Sequence, residues 1–172
     1  MVLLAALFVL PLTFWLTTRA SRRNGGTRGL RWHGIRWERP EESDELDAIV
    51  AEAHSKHRSG DLGGALRDYG RALALKRSAL VLNNRGCALL ESGEVERAIA
   101  DLEEAVALEP ESATAHCSLA EAYARAGDDA KALASLRTAA GLDPRWREHA
   151  KTAAPFERLR SSPEGAKWLA EE

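Results

Sequence analysis

The chain has 172 residues, a formal net charge of −2 and few aromatics, which leaves room for one domain of ordinary size with attachments. Seven Arg against one acid, Glu38, fill residues 19–39, while 17 Lys and Arg against 25 Asp and Glu leave residues 41–172 at −8, so the average charge describes neither part. Cys87 and Cys117 form no CxxC pair and no Cys lies near the N-terminus, which argues against a disulfide framework and a lipoprotein-type acylation site.

The first element is apolar. Met1 to Leu16 (MVLLAALFVLPLTFWL) contains no charged side chain. As a helix, Met1 to Thr18 would span about 27 Å, just short of the roughly 30 Å hydrocarbon core. Trp15 stands where an aromatic ring favours the interface, and Arg19, Arg22 and Arg23 follow at once. Residues 1–18 therefore read as a single-pass transmembrane helix, with the N-terminus outside and the body cytoplasmic. The alternatives are a cleaved secretory signal with export, a buried core helix, or a mis-assigned start. Thr18-Arg19-Ala20 is a poor cleavage site, and charge follows the apolar stretch instead of preceding it. No polar face supports a core helix.

Residues 19–45 read as an Arg-rich linker, because ASRRNGGTRGLRWHGIRWERP carries four Gly and no lasting period. Its Arg residues, with Trp32 and Trp37, suit an anionic inner leaflet or a solvated spacer. Phosphate gripping with base stacking is the third reading. An Arg run beside an apolar anchor has a simpler cause, so nucleic acid is disfavoured.

The body repeats. Gly60, Gly93 and Gly127 are followed by Ala65, Ala98 and Ala132, by Tyr69, Leu102 and Leu136, by Ala72, Ala105 and Ala139, and by Leu75, Leu108 and Leu142. The Gly can take the left-handed conformation that ends a helix. Asp61 and Asp128 can cap the next one, and Glu94 less well. The Ala columns let helices approach, and Tyr69, Leu102 and Leu136 fill the space between them. Pro110 and Pro144 stop two of the second helices.

This pattern, on a period of 33 to 34, resembles the tetratricopeptide repeat. The resemblance implies an all-α fold of three helical hairpins, at residues 46–78, 79–112 and 113–146, in a short right-handed superhelix. Unit one departs most, with Glu52, Lys56 and Arg77 at positions where apolar residues or Pro are usual, and with Gly63, Gly64 and Gly70 in its second helix. Residues 147–172 read as a C-terminal capping segment. Ser162-Pro163-Glu164 opens a helix, and Phe156, Leu159, Trp168 and Leu169 cover the third unit.

A stack of hairpins turns the first helix of each unit toward its concave side. By the register, the partner-binding groove is lined by His54, His57 and Arg58, by Asn83, Asn84, Cys87 and Glu91, and by Cys117, Glu121 and Arg125. Such a mixed lining suits a protein or peptide partner. Chaperone-binding members of the family grip a C-terminal carboxylate at positions held here by Val50, His54, Asn84, Thr114 and Ser118; only Asn84 agrees, so that clamp is not expected. His54 and His57 with Cys87 and Cys117 raise the alternative of a metal-dependent sensor, but no recognised ligand spacing supports it. No nucleophile is paired with a base and no phosphate loop is present, so neither an enzyme nor a cofactor is expected. The function implied is a scaffold for a protein partner at a membrane, with homo-oligomeric assembly as the alternative.

Overall fold

The computed structural model describes residues 31–33, 36–38 and 40–170, and the expected membrane helix at 1–18 lies outside them. Among the described residues no helix is long and apolar enough to cross a membrane. The chain divides into two units, Met1–Glu45 and Leu46–Glu172.

In the first unit, strands β1 (Arg31–His33) and β2 (Arg36–Glu38) pair antiparallel, with Trp32 opposite Trp37. This stretch reads from sequence as an unstructured linker. The strands are too short to show a period, and an aromatic in each supplies the strand preference that the surrounding glycines hide. Helix α1 (Pro40–Arg58) begins well ahead of residue 46. The acidic run behind Pro40 carries no apolar period, yet Pro is favoured in a helical first turn.

From α1 onward the described chain is helical. The order is α2 (Leu62–Leu75), α3 (Ala79–Glu91), α4 (Val95–Leu108), α5 (Ala113–Ala126), α6 (Asp129–Leu142), α7 (Arg145–Thr152), a 3-10 turn at Ala154–Phe156, α8 (Glu157–Ser161) and α9 (Pro163–Ala170). Helices α3 and α4 pack as a hairpin, as do α5 and α6. Contacts α2 to α3 and α4 to α5 join successive hairpins. Gly60, Gly93 and Gly127 all take positive φ, near +85°, and end the first helix of each pair. Asp61 accepts from the Gly64 N–H at 2.9 Å and Asp128 from that of Lys131 at 3.1 Å, whereas Glu94 makes no side-chain cap. A short Asx oxygen reaches back to the first-turn N–H groups, and the longer Glu side chain misses them.

The two Ala columns and the bulky column between them decide the packing. Ala65, Ala98 and Ala132, Tyr69, Leu102 and Leu136, and Ala72, Ala105 and Ala139 are all 0% exposed. Small residues on the second helices bring neighbouring helices close, and the bulky column fills the gaps between them. The fifth column lies outside this core: Leu75, Leu108 and Leu142 end their helices largely exposed. At the C-terminal end, Phe156, Leu159 and Trp168 join the buried cluster built on Leu102, Leu119 and Leu136. Arg160 donates to the carbonyls of Ala150 and Ala153 and ties α8 to the end of α7.

Two second helices carry a buried Asp in the same repeat position, Asp68 and Asp101. Lys56 donates to Asp68 at 2.6 Å and Arg71 at 3.1 Å, and the Lys56 hydrogen bond above all holds the Asp68 carboxyl below its usual 3.8. Because the folded carboxyl is the more acidic, the unfolded chain takes up protons first as pH falls. The pair's contribution is complete above the unfolded value and is lost as pH drops from about 4 through the folded one. Asp68→Asn should therefore flatten the acid limb of stability below pH 4 in chemical denaturation; an unchanged slope there would show that other groups set it.

Candidate partner-binding groove

Helices α1, α3 and α5 supply the face on which the ten groove residues fall, and α3 and α5 touch directly. Four of the residues form two pairs that bridge α1 and α3 across the seam. Asn84 Nδ2 lies 2.9 Å from His54 Nε2. An amide NH2 can only donate, so in this arrangement His54 Nε2 is the acceptor. His57 Nε2 faces Glu91 Oε1 at 3.1 Å. Both imidazoles stand edge-on to Tyr69, with centroids at 5.7 Å and 6.3 Å.

The seam between α3 and α5 is built from smaller contacts. Cys87 Sγ approaches Ser118 Oγ at 3.7 Å. Arg125 donates to Glu121 at 2.7 Å and to the Leu90 carbonyl at 3.2 Å, which holds a cation of α5 on the last turn of α3. Arg58 is exposed at the end of α1. Cys117 is buried, so it lies beneath the lining instead of on it. Burial drives its thiol up to about 12, with Glu121 adding to the rise. Burial also raises the Cys87 thiol against the opposing pull of Ser118.

These thiols are poor nucleophiles, since only the thiolate reacts. At pH 8 about one Cys117 in 10⁴ is ionised, so a disulfide reagent should not label Cys117 at an appreciable rate until the chain unfolds. Rapid labelling of Cys117 in the native protein would contradict its burial. Among the described residues no group of three His, Cys, Asp or Glu is placed to hold a metal ion.

Two features of this face escape a reading of residue spacing. Asn83 is a groove residue whose Oδ1 is buried without a protein hydrogen-bond partner. Tyr69 reads as core filler, yet its hydroxyl is likewise buried and unpartnered, beside the imidazoles of α1. The only available signal was chemical: the same column holds Leu102 and Leu136 in the other units.

Comparison with known proteins agrees with the helical-repeat fold. Residues 83–145 match the profile of the tetratricopeptide repeat. A TPR repeat-containing thioredoxin of Arabidopsis thaliana is 33% identical over 88 residues, which are 51% of this chain and 13% of that protein. The chain thus corresponds to a small part of that relative. An O-GlcNAc transferase mutant of Thermobaculum terrenum superposes with a TM-score of 0.66 at 26% identity, over 77% of this chain and 26% of that one. The first TPR domain of Spaghetti, solved bound to an HSP90 peptide, superposes with a TM-score of 0.61 at 17% identity, over 75% of this chain and 96% of that one. Residues 83–145 thus match the tetratricopeptide repeat, and the helical body shares the fold of such arrays.

Proposed function

We propose that this tetratricopeptide-type chain is a binding module and not a catalyst, holding a segment of another protein on the face of α1, α3 and α5. Residues 1–18 tether it to a membrane, with the repeats on the cytoplasmic side. The observation that carries the binding reading is the state of the face's charges. His57 pairs with Glu91 and Arg125 with Glu121, so few charges are left to act on a substrate, while neutral polar groups such as Asn83, Asn84 and Ser118 line the same face. Such a surface recognises a chain by shape and hydrogen bonds. The HSP90 peptide held by the Spaghetti domain shows that an array of this fold can receive one. The apolar run from Met1 and the Arg residues behind it support the tether.

The test is crosslinking in cells with the full chain, followed by identification of the captured protein. Asn84→Arg places a long cation on the face and should abolish that crosslink, while the lost His54 contact lowers stability by no more than about 1 kcal/mol. A crosslink that survives it moves the binding surface elsewhere. For the tether, alkaline extraction should leave the full chain with membranes and release a chain lacking residues 1–18. Release of both would end that part of the reading.

A further inference from the structure

The repeat sets the same positions between successive units, but it does not fill them alike. Between units one and two, Arg85 of α3 forks onto Asp101 of α4 at 2.6 Å and 2.7 Å. Arg77 pairs with Glu104 one turn further along α4. One repeat later, Leu119 stands in the place of Arg85, Ser135 in that of Asp101 and Thr138 in that of Glu104. Each exchange shortens a side chain, and Pro110 replaces Arg77. The space they leave is a notch of about 270 Å³. Leu119 and Tyr123 of α5, Val106 of α4, and Ala134, Ser135 and Thr138 of α6 line it.

The notch lies between two second helices and opens away from the groove. Leu119 and Tyr123 sit four apart on α5, whereas the groove residues Glu121 and Arg125 fall on the opposite face of that helix. Leu119 and Tyr123 are buried, while Ala134 and Thr138 of α6 are exposed. Size restricts the occupant. A cavity of about 150 Å³ already holds a benzene ring, and small-molecule sites begin near about 300 Å³, so this notch takes a single ring.

Charge narrows it further. Tyr123 Oη donates to Glu103 Oε1 at 2.5 Å, so that acid of α4 is already engaged. Lys131, also lining the notch, stands over the Tyr123 ring at 5.1 Å. Its side chain is 62% exposed and its pairing with Asp128 is long, at 3.6 Å. An ammonium held so loosely can turn toward an incoming carboxylate.

We propose that the notch between α4, α5 and α6 is a second docking site, which takes one aromatic side chain of a protein partner whose adjacent Asp or Glu pairs with Lys131. The ring packs on Leu119, Val106 and Tyr123, as an aromatic anchor does in a desolvated pocket. This site is separate from the groove. With a guest on the face of α1, α3 and α5 the notch stays open, and the array links two chains.

A displayed random-peptide library, selected on the full chain in detergent, supplies the test. Binders are measured against Asn84→Arg, Lys131→Glu, Ala134→Phe and the double variant Leu119→Arg with Ser135→Asp, and each melting temperature is recorded. The double variant rebuilds here the fork found between units one and two. The expected result is a set of peptides with an aromatic residue beside an acid. They keep their affinity for Asn84→Arg and lose tenfold or more to each of the other three. Where the double variant does not fold, Ala134→Phe, at an exposed position, fills the notch in its place. If no selected peptide loses affinity to Ala134→Phe, the notch is overturned, and peptides lost to Asn84→Arg leave the groove standing. Peptides lost to Ala134→Phe but not to Lys131→Glu overturn the acidic partner. A library that yields no binder overturns both sites.

Discussion

Truncating Leu102 to Ala is expected to lower unfolding stability by about 3 kcal/mol, within the usual 2–5 kcal/mol for a fully buried leucine. Leu102 is 0% exposed in α4 and belongs to the cluster that runs from the second unit into the C-terminal helices. Its side chain also explains Gly86. A Cβ built on Gly86 of α3 would fall 2.7 Å from Leu102 Cγ and 2.9 Å from its Cδ2, closer than real carbons approach. Gly86→Ala should therefore destabilise by about 1–3 kcal/mol through overpacking. Because both changes act on one contact, their effects should not add. In the Leu102→Ala background the space next to residue 86 is empty, and Gly86→Ala should be close to neutral or mildly stabilising. Urea unfolding of the two single variants and the double variant measures this. A Leu102→Ala loss below about 1 kcal/mol would show that the site collapses, and strict additivity would show that the two residues do not touch.

The same contact shows what the sequence makes legible. Periodic constraints were readable because each repeat poses the same physical demand three times: a positive φ at Gly60, Gly93 and Gly127, and no room for side chains beyond methyl at Ala65, Ala98 and Ala132. Caps were readable because the reach of Asp61 and Asp128 is local, and so was the poor capping by Glu94. Leu75, Leu108 and Leu142 recur as regularly as the buried columns and yet stay exposed, so recurrence reports register and not burial. The hairpin at Trp32 and Trp37 and the early start of α1 at Pro40 occur once each, and a single occurrence gives no column to read. On the groove face the positions could be named but not their partners. That His57 meets Glu91 and His54 meets Asn84 depends on the pitch between α1 and α3, which residue spacing along one helix does not contain. The unpartnered hydroxyl of Tyr69 was hidden for a related reason: its surroundings come from a helix before it and a helix after it.

The second large effect concerns the ion pair that ties α3 to α4. Arg85 donates from Nε and Nη2 to the two oxygens of Asp101, at 2.6 Å and 2.7 Å, in a fork-to-fork geometry. Only 12% of the Asp101 side chain and 25% of that of Arg85 are exposed. Asp101→Ala leaves a guanidinium in a pocket shaped for a carboxylate. A fully buried charge stranded in this way costs about 3–5 kcal/mol, and the partial exposure of Arg85 reduces the expected loss to about 1–3 kcal/mol. The pair itself is a different quantity. Two opposite charges removed together take their desolvation cost with them, so Arg85→Leu with Asp101→Leu should recover most of the loss, the apolar stem of Arg85 being replaced by packing of similar kind. Asp68 provides an internal control, since the same column in the first unit is held by a flexible ammonium, Lys56 at 2.6 Å, which also faces Glu52, and by the exposed Arg71 at 3.1 Å. Asp68→Ala should cost less than Asp101→Ala, because a Lys that loses its partner can extend into water while the planar fork of Arg85 is held in place. Equal losses at the two positions would mean that burial of the carboxylate, and not the geometry of the cation, sets the energy of this column.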